Sequence, residues 1–165
     1  MRPGEKIPPL LPAAEALHQK RMANFMADRP SAHCLPHSIP DKMLIRIPLK
    51  IVQTSGLTLI LYEQFTQYRQ IFTDGRPHPS VGNPAWFGFS IGKWEGDWFV
   101  VDTRGFNDKS WIDDSGRPHT EALHTIERFG ATSVTWTSKS RLTIPKPIPS
   151  LGRSRCNMNF SPTPK

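Results

Sequence analysis

The sequence predicts a mainly β protein, an antiparallel meander or incomplete barrel preceded by one N-terminal helix. Three observations carry this. The runs Leu49 to Thr54, Leu57 to Tyr62 and Tyr68 to Thr73 are rich in β-branched and aromatic residues, and the last two alternate with the period of two that a half-buried strand requires. The runs "WFGFSIGKW" and "WFVVDT" follow, separated by the tight "EGD". The window with helical spacing, residues 13–26, lies ahead of all of them. At 165 residues the chain suits one domain with a real core. It divides into an N-terminal extension (1–45), an antiparallel β domain (46–129) expected to be truncated, and a basic proline-rich tail (130–165) expected to be disordered.

The first dozen residues, "MRPGEKIPPLLP", are proline-rich and expected to be extended. In "AAEALHQKRMANFM" Ala14, Leu17, Met22, Phe25 and Met26 fall near one side of a helix, which predicts an amphipathic element. The three prolines of "DRPSAHCLPHSIPDK" predict a loop that runs over the surface or is pinned by Cys34. Gly56 separates the first two strand runs, and Leu57, Leu59 and Leu61 oppose Thr58, Ile60 and Tyr62. Next, Tyr68, Gln70 and Phe72 oppose Arg69, Ile71 and Thr73, ending at an Asp-Gly turn signal and predicting a hairpin with the preceding strand. Gly96 supplies the positive φ that a tight hairpin needs. Gly88 and Gly92 share a face with Ser90 and Trp94, where their lack of a side chain predicts a bend in a curved sheet or leaves room for an aromatic ring or a bound ligand. "HTEALHTIERF" is assigned to a strand by its Thr, Ile and Phe content.

The formal charge of +7 suggests a nucleic-acid partner until its distribution is considered. Six of the 21 Lys and Arg lie beyond Phe129 and none of the 14 Asp and Glu does, which leaves the rest of the chain at +1. With no recognisable motif either, nucleic acid is not the expected partner. No stretch reaches the ~20 apolar residues of a membrane span, and Met1 to Leu11 lacks the apolar core of a signal peptide. Two cysteines, Cys34 and Cys156, are too few for a disulfide scaffold and leave a single bridge open.

The strings "YRQIFTDGR", "GKWEGD", "GFNDKSW" and "HTEALHTIERF" resemble a large group of uncharacterised, mostly exported bacterial β-rich proteins, over about residues 10–129. The resemblance implies a periplasmic or secreted location and an antiparallel meander or barrel preceded by a helix and the "CLP" loop that Cys34, Leu35 and Pro36 match. It implies further acidic, alternating strands after Phe129, and there the chain departs from it. Read two bases out of phase with free wobble positions, the tail codons spell a continuation containing "HMDIEVTI", "DDPKAY" and "WTVTVQYELL", which is strand, turn and strand. The tail is therefore expected to be a frameshifted reading.

Two candidate sites follow. Trp86, Phe87, Phe89, Trp94, Trp98, Phe99 and Trp111 fall within 26 residues, and such rings either fill a core or line a pocket for a small apolar or sugar ligand. Trp86, Trp94, Trp98, Trp111, Asn107 and Lys109 are the candidate ligand-binding residues. The alternative is a hydrolase or lyase using the His/carboxylate cluster at 102–124, with His119, Glu121 and Asp108 as acid–base candidates. On an extended strand His119, Glu121 and Glu127 share a face. The spacing of His78, His119 and His124 is not that of a metal site, and no nucleophile or cofactor motif occurs, so no metal and no cofactor is expected. The oligomeric state is left open.

Overall fold

The computed structural model describes residues 10–44, 47–80, 82–132, 135–143 and 155–160. Most of the expected extended lead-in, the boundary at 45–46 and tail residues 133–134, 144–154 and 161–165 lie outside the described residues.

Six strands carry the sheet: β1 (Leu49–Thr54), β2 (Leu57–Tyr62), β3 (Tyr68–Phe72), β4 (Phe89–Glu95), β5 (Trp98–Arg104) and β6 (His124–Thr132). Their order in space is their order in sequence, and the sheet stays open. The pairs β1–β2, β2–β3, β4–β5 and β5–β6 are antiparallel. Gly56 (φ 78°) and Gly96 (φ 58°) turn the first and third of these in the left-handed conformation that glycine adopts without strain. The exception to the meander is β3–β4, which is parallel and joined only at Ile71↔Ser90 and Phe72↔Ile91. The segment from Thr73 to Gly88 makes the long return that a parallel pair requires. It is fastened by Ala85 N–H to Gly105 O and Asn107 N–H to Ala85 O, both at 2.9 Å.

Two tail segments continue the ladder, β7 (Thr135–Thr143) against β6 and β8 (Arg155–Phe160) against β7. Over these residues the chain is not the irregular coil its charge and prolines suggest. The threonine-rich run 135–143 has strand propensity, β6 offers an open row of main-chain groups, and Pro145, Pro147 and Pro149 fall outside both segments.

Helix α1 (Pro12–Ala23) begins with proline in its first turn and carries Lys20 and Arg21 in its last. It stops short of the expected Met26 because Phe25 and Met26 have positive φ. Nor does it dock by its apolar stripe: Leu17 and Met22 are exposed and Phe25 is 94% exposed. Two polar residues that fall within the same arc as that stripe hold it, through His18 Nε2 to Ser115 O and Arg21 Nη1 to Gly116 O, each 2.9 Å, with the Arg21 guanidinium 4.6 Å from the centre of the Trp111 ring.

The proline-rich segment is not a surface loop throughout. Residues His37 to Met43 are buried, and the short helix α2 (Ile39–Leu44) sends Ile39 and Met43 into the core. Ser38 Oγ donates to Trp111 O at 2.9 Å. Cys34 is exposed with a free thiol.

The core lies on one face of the sheet, where Ile60, Tyr62, Ile71, Phe99, Val101 and Phe129 meet α2, Phe106 and Leu123. Gly92 belongs here for a steric reason. A Cβ at this position would lie 2.6 Å from the Phe99 ring, so the missing side chain makes room for that ring. The same face carries Arg69 on β3 and Glu127 on β6, and the two are ion-paired. In a flat sheet three strand spacings separate them by roughly 14 Å. The pair closes only because the sheet curls, as an incomplete barrel does.

Candidate functional site

The short β3–β4 ladder creates a cleft. Beyond Ile71 and Phe72 the two strands diverge, leaving about 240 Å³ lined by Tyr68, Arg69, Gln70 and Phe72 on one side and Phe87, Gly88, Phe89 and Ser90 on the other. Thr73 N–H donates to Gly56 O and Gln67 O accepts from Tyr62 N–H, so the odd-numbered residues of this strand turn their main chain toward β2. By alternation Tyr68 and Gln70 turn theirs toward the cleft. Gly88 (φ 59°) allows close approach on the other wall, where a Cβ would lie 2.6 Å from Arg104 O.

On the inner side the cleft reaches Arg69, 1% exposed, whose Nε donates to Ser90 Oγ (3.1 Å) and whose Nη2 donates to Thr103 Oγ1 (2.7 Å) and to Glu127. Burial opposes the charge on Arg69, but Glu127 and Tyr62 outweigh it and hold the guanidinium above its ordinary value. Tyr62 is pushed up to about 12, mainly by burial, so its hydroxyl stays neutral. The Tyr62 hydroxyl is close enough to Arg69 to act on its titration, although no hydrogen bond of good geometry joins them. Arg69 Nη1, Tyr62 Oη, Thr125 Oγ1 and Glu127 Oε1 are buried with no hydrogen-bond partner among the described residues.

On the outer side the Phe72 and Phe89 rings stack at 5.1 Å, Arg76 lies 4.0 Å over Phe72, and the His78 ring meets the edge region of Phe89 at 5.9 Å. Here His78 Nε2 and His124 Nε2 both lie 2.9 Å from Asp102 Oδ1, with Arg104 beside them. Burial lowers the His78 imidazole against the pull of Asp102. Burial works to raise the Asp102 carboxyl, but Arg104 and His124 prevail and hold it below the ordinary carboxylate value. The trio ties the long β3–β4 connection to β5 and β6 and so fixes one wall of the cleft.

The sequence-predicted tryptophans do not gather. Trp86 is half-buried at the turn before β4, Trp94 is 55% exposed beside Phe99, Trp98 lies against Gly130, and Trp111 is buried under Arg21. Asn107 is buried and its Oδ1 accepts from Lys109 N–H at 3.1 Å, which orders a loop, while the Lys109 side chain is exposed. His119 is buried, with Nε2 2.7 Å from Ser110 Oγ and Nδ1 3.1 Å from Thr120 O. Glu121 and Asp108 are exposed. The expected common face of His119, Glu121 and Glu127 is not formed, because Thr120 to Leu123 is a turn and β6 starts at His124. Glu127 sits in the core with Arg69 instead.

The cleft aromatics are thus Phe and Tyr. Phe87 and Phe89 were within the aromatic run, but Tyr68, Arg69 and Phe72 come from the preceding strand, which no local pattern joins to it. A further group, His37, Asp41 and Asp114, has ligand atoms within 4.8 Å of one another. Asp41 is raised by burial first, against its hydrogen bond from His37. Arg29 pairs with Asp114 and His37 with Asp41, while Lys42 Nζ donates to Gln64. Comparison of the chain with family models, with curated proteins and with solved structures finds no match.

Proposed function

We propose that this is an exported β-domain protein that binds a small apolar or sugar ligand in the aromatic-lined cleft between β3 and β4. The observation that carries the reading is the divergence of β3 and β4. It brings Tyr68, Phe72, Phe87 and Phe89 to one opening with main-chain groups between them. Ring faces and spare main-chain donors and acceptors are what a small cyclic ligand needs. At about 240 Å³ the cleft is below the usual range for drug-sized ligands, which favours a single ring. None of Asp108, His119 and Glu121 lines it. A thermal-shift screen of single-ring sugars and apolar rings against the full chain tests the reading, which predicts stabilisation by one class and its loss in Phe89→Ala. Absence of stabilisation by every class would reject it.

One observation favours a hydrolase or lyase as the second reading. Asp102 and His124 form a carboxylate–imidazole pair within the predicted 102–124 cluster, a geometry that suits a general base. Turnover unchanged by Asp102→Asn and His124→Gln would remove it. The exported location rests on the sequence resemblance. The frameshifted origin of residues 130–165 rests on the out-of-phase reading, and resequencing across the codons for Phe129 and Gly130 tests it.

A further inference from the structure

We propose that the ligand of the β3–β4 cleft is a neutral ring carrying a hydroxyl or amide group, and that this group docks on the buried cluster of Arg69, Tyr62, Thr125 and Glu127. The inference rests on the reading of the cleft as a ligand site and goes on to name the chemistry of the ligand's polar end.

Four side chains, none more than 3% exposed, each hold a polar atom without a partner among the described residues. Together they are unusual, since each unpaired buried polar atom carries a desolvation penalty and native interiors pair nearly all of them. Their capacities are mixed. Arg69 Nη1 only donates, Glu127 Oε1 only accepts, and the Tyr62 and Thr125 hydroxyls do both. The docked group must therefore donate and accept, as a hydroxyl or a primary amide does.

Charge narrows the class. Arg69 and Glu127 already neutralise each other. An anion would leave net negative charge in the buried cluster and a cation net positive charge, so a neutral group is preferred. A purely apolar ring would leave all four atoms unpaired. Arg69 joins the cluster to the cleft: Arg69 and Ser90 belong to the cleft wall, and Phe87 of the opposite wall packs against the Tyr62 ring at 6.3 Å between centres. A substituent on a ring held between the aromatic walls meets the cluster at Arg69, the member that lines the cleft.

The test measures the affinities of benzyl alcohol, benzamide, toluene and benzoate for the full chain by ligand-observed NMR, repeated on Tyr62→Phe and Thr125→Val. Benzyl alcohol or benzamide should bind at least about tenfold tighter than toluene and benzoate. Either variant should remove most of that advantage while leaving toluene unchanged, an effect general destabilisation would not produce. Equal binding of toluene and benzamide would overturn the polar-group inference and leave the cleft reading standing. Tightest binding of benzoate would overturn neutrality, and an advantage insensitive to both variants would place the polar group elsewhere. Binding of none of the four would overturn this inference, and the cleft reading with it if single-ring sugars also fail to stabilise the chain.

Discussion

Replacing Glu127 by alanine removes the partner of a guanidinium that has no access to water. Arg69 and Glu127 are each 1% exposed, and after the substitution Arg69 keeps only the hydroxyls of Ser90 and Thr103. Breaking a buried ion pair from one side costs about 3–5 kcal/mol. That is a fifth or more of the roughly 5–15 kcal/mol by which domains are stable. For a chain of this size about 2–4 °C is lost per kcal/mol, so the melting temperature should fall by roughly 6–20 °C. The double variant Arg69→Met/Glu127→Leu removes both charges and should lie within about 1 kcal/mol of the parent or above it. Urea unfolding monitored by tryptophan fluorescence, run as a double-mutant cycle, separates the two effects. A Glu127→Ala cost below about 1 kcal/mol, or a double variant weaker than the single one, would refute the claim that this pair is buried and mutually dependent.

Three further outcomes are expected. Burial foremost holds His119 below its ordinary value of 6.5, against the Thr120 carbonyl and Asp108, with Arg21 acting in the same direction as burial. The unfolded chain therefore takes up the proton first, so the contribution is full above about pH 6.5 and is lost as the pH falls below it. The drop in melting temperature from about pH 7.5 to about pH 5.5 should shrink in His119→Gln, and an unchanged drop would contradict this. Gly92→Ala places a Cβ 2.6 Å from the Phe99 ring and 2.8 Å from Ile71 Cγ2 and should cost about 1–3 kcal/mol in urea unfolding. Relief of that cost by Phe99→Leu checks the cause. Arg21→Ala loses the bond to Gly116 O and the Trp111 contact, so limited proteolysis should cut within α1 faster while the main unfolding transition moves by less than about 1.5 kcal/mol.

Strands with a regular period were legible because alternation is a local property. The runs at Leu57 to Tyr62, Phe89 to Glu95 and Trp98 to Arg104 form strands, as does Leu49 to Thr54, and the Gly96 turn takes the predicted φ. The parallel β3–β4 pair was not legible, because it depends on how the connection from Thr73 to Gly88 returns. Neither was α2, whose few residues sit among prolines and gain burial only from the sheet above them. Arg69 and Glu127 carried a faint signal: Arg69 shares parity with Ile71, and Glu127 with Phe129, both core residues. Each charge looks misplaced in its own strand, and the reason appears only when the sheet curls and brings the strands together. The helix was legible but its anchors were not, since His18 and Arg21, which interrupt the apolar stripe, find carbonyl and indole partners that periodicity cannot anticipate.

The most direct test of the account is amide chemical-shift mapping of the full chain with a single-ring ligand that stabilises it. The largest shifts are predicted at Tyr68, Gln70, Gly88, Phe89 and Ser90, where β3 and β4 part. Shifts centred on Trp94, Trp98 or Trp111, or spread without a centre, would contradict the assignment of the ligand to this cleft.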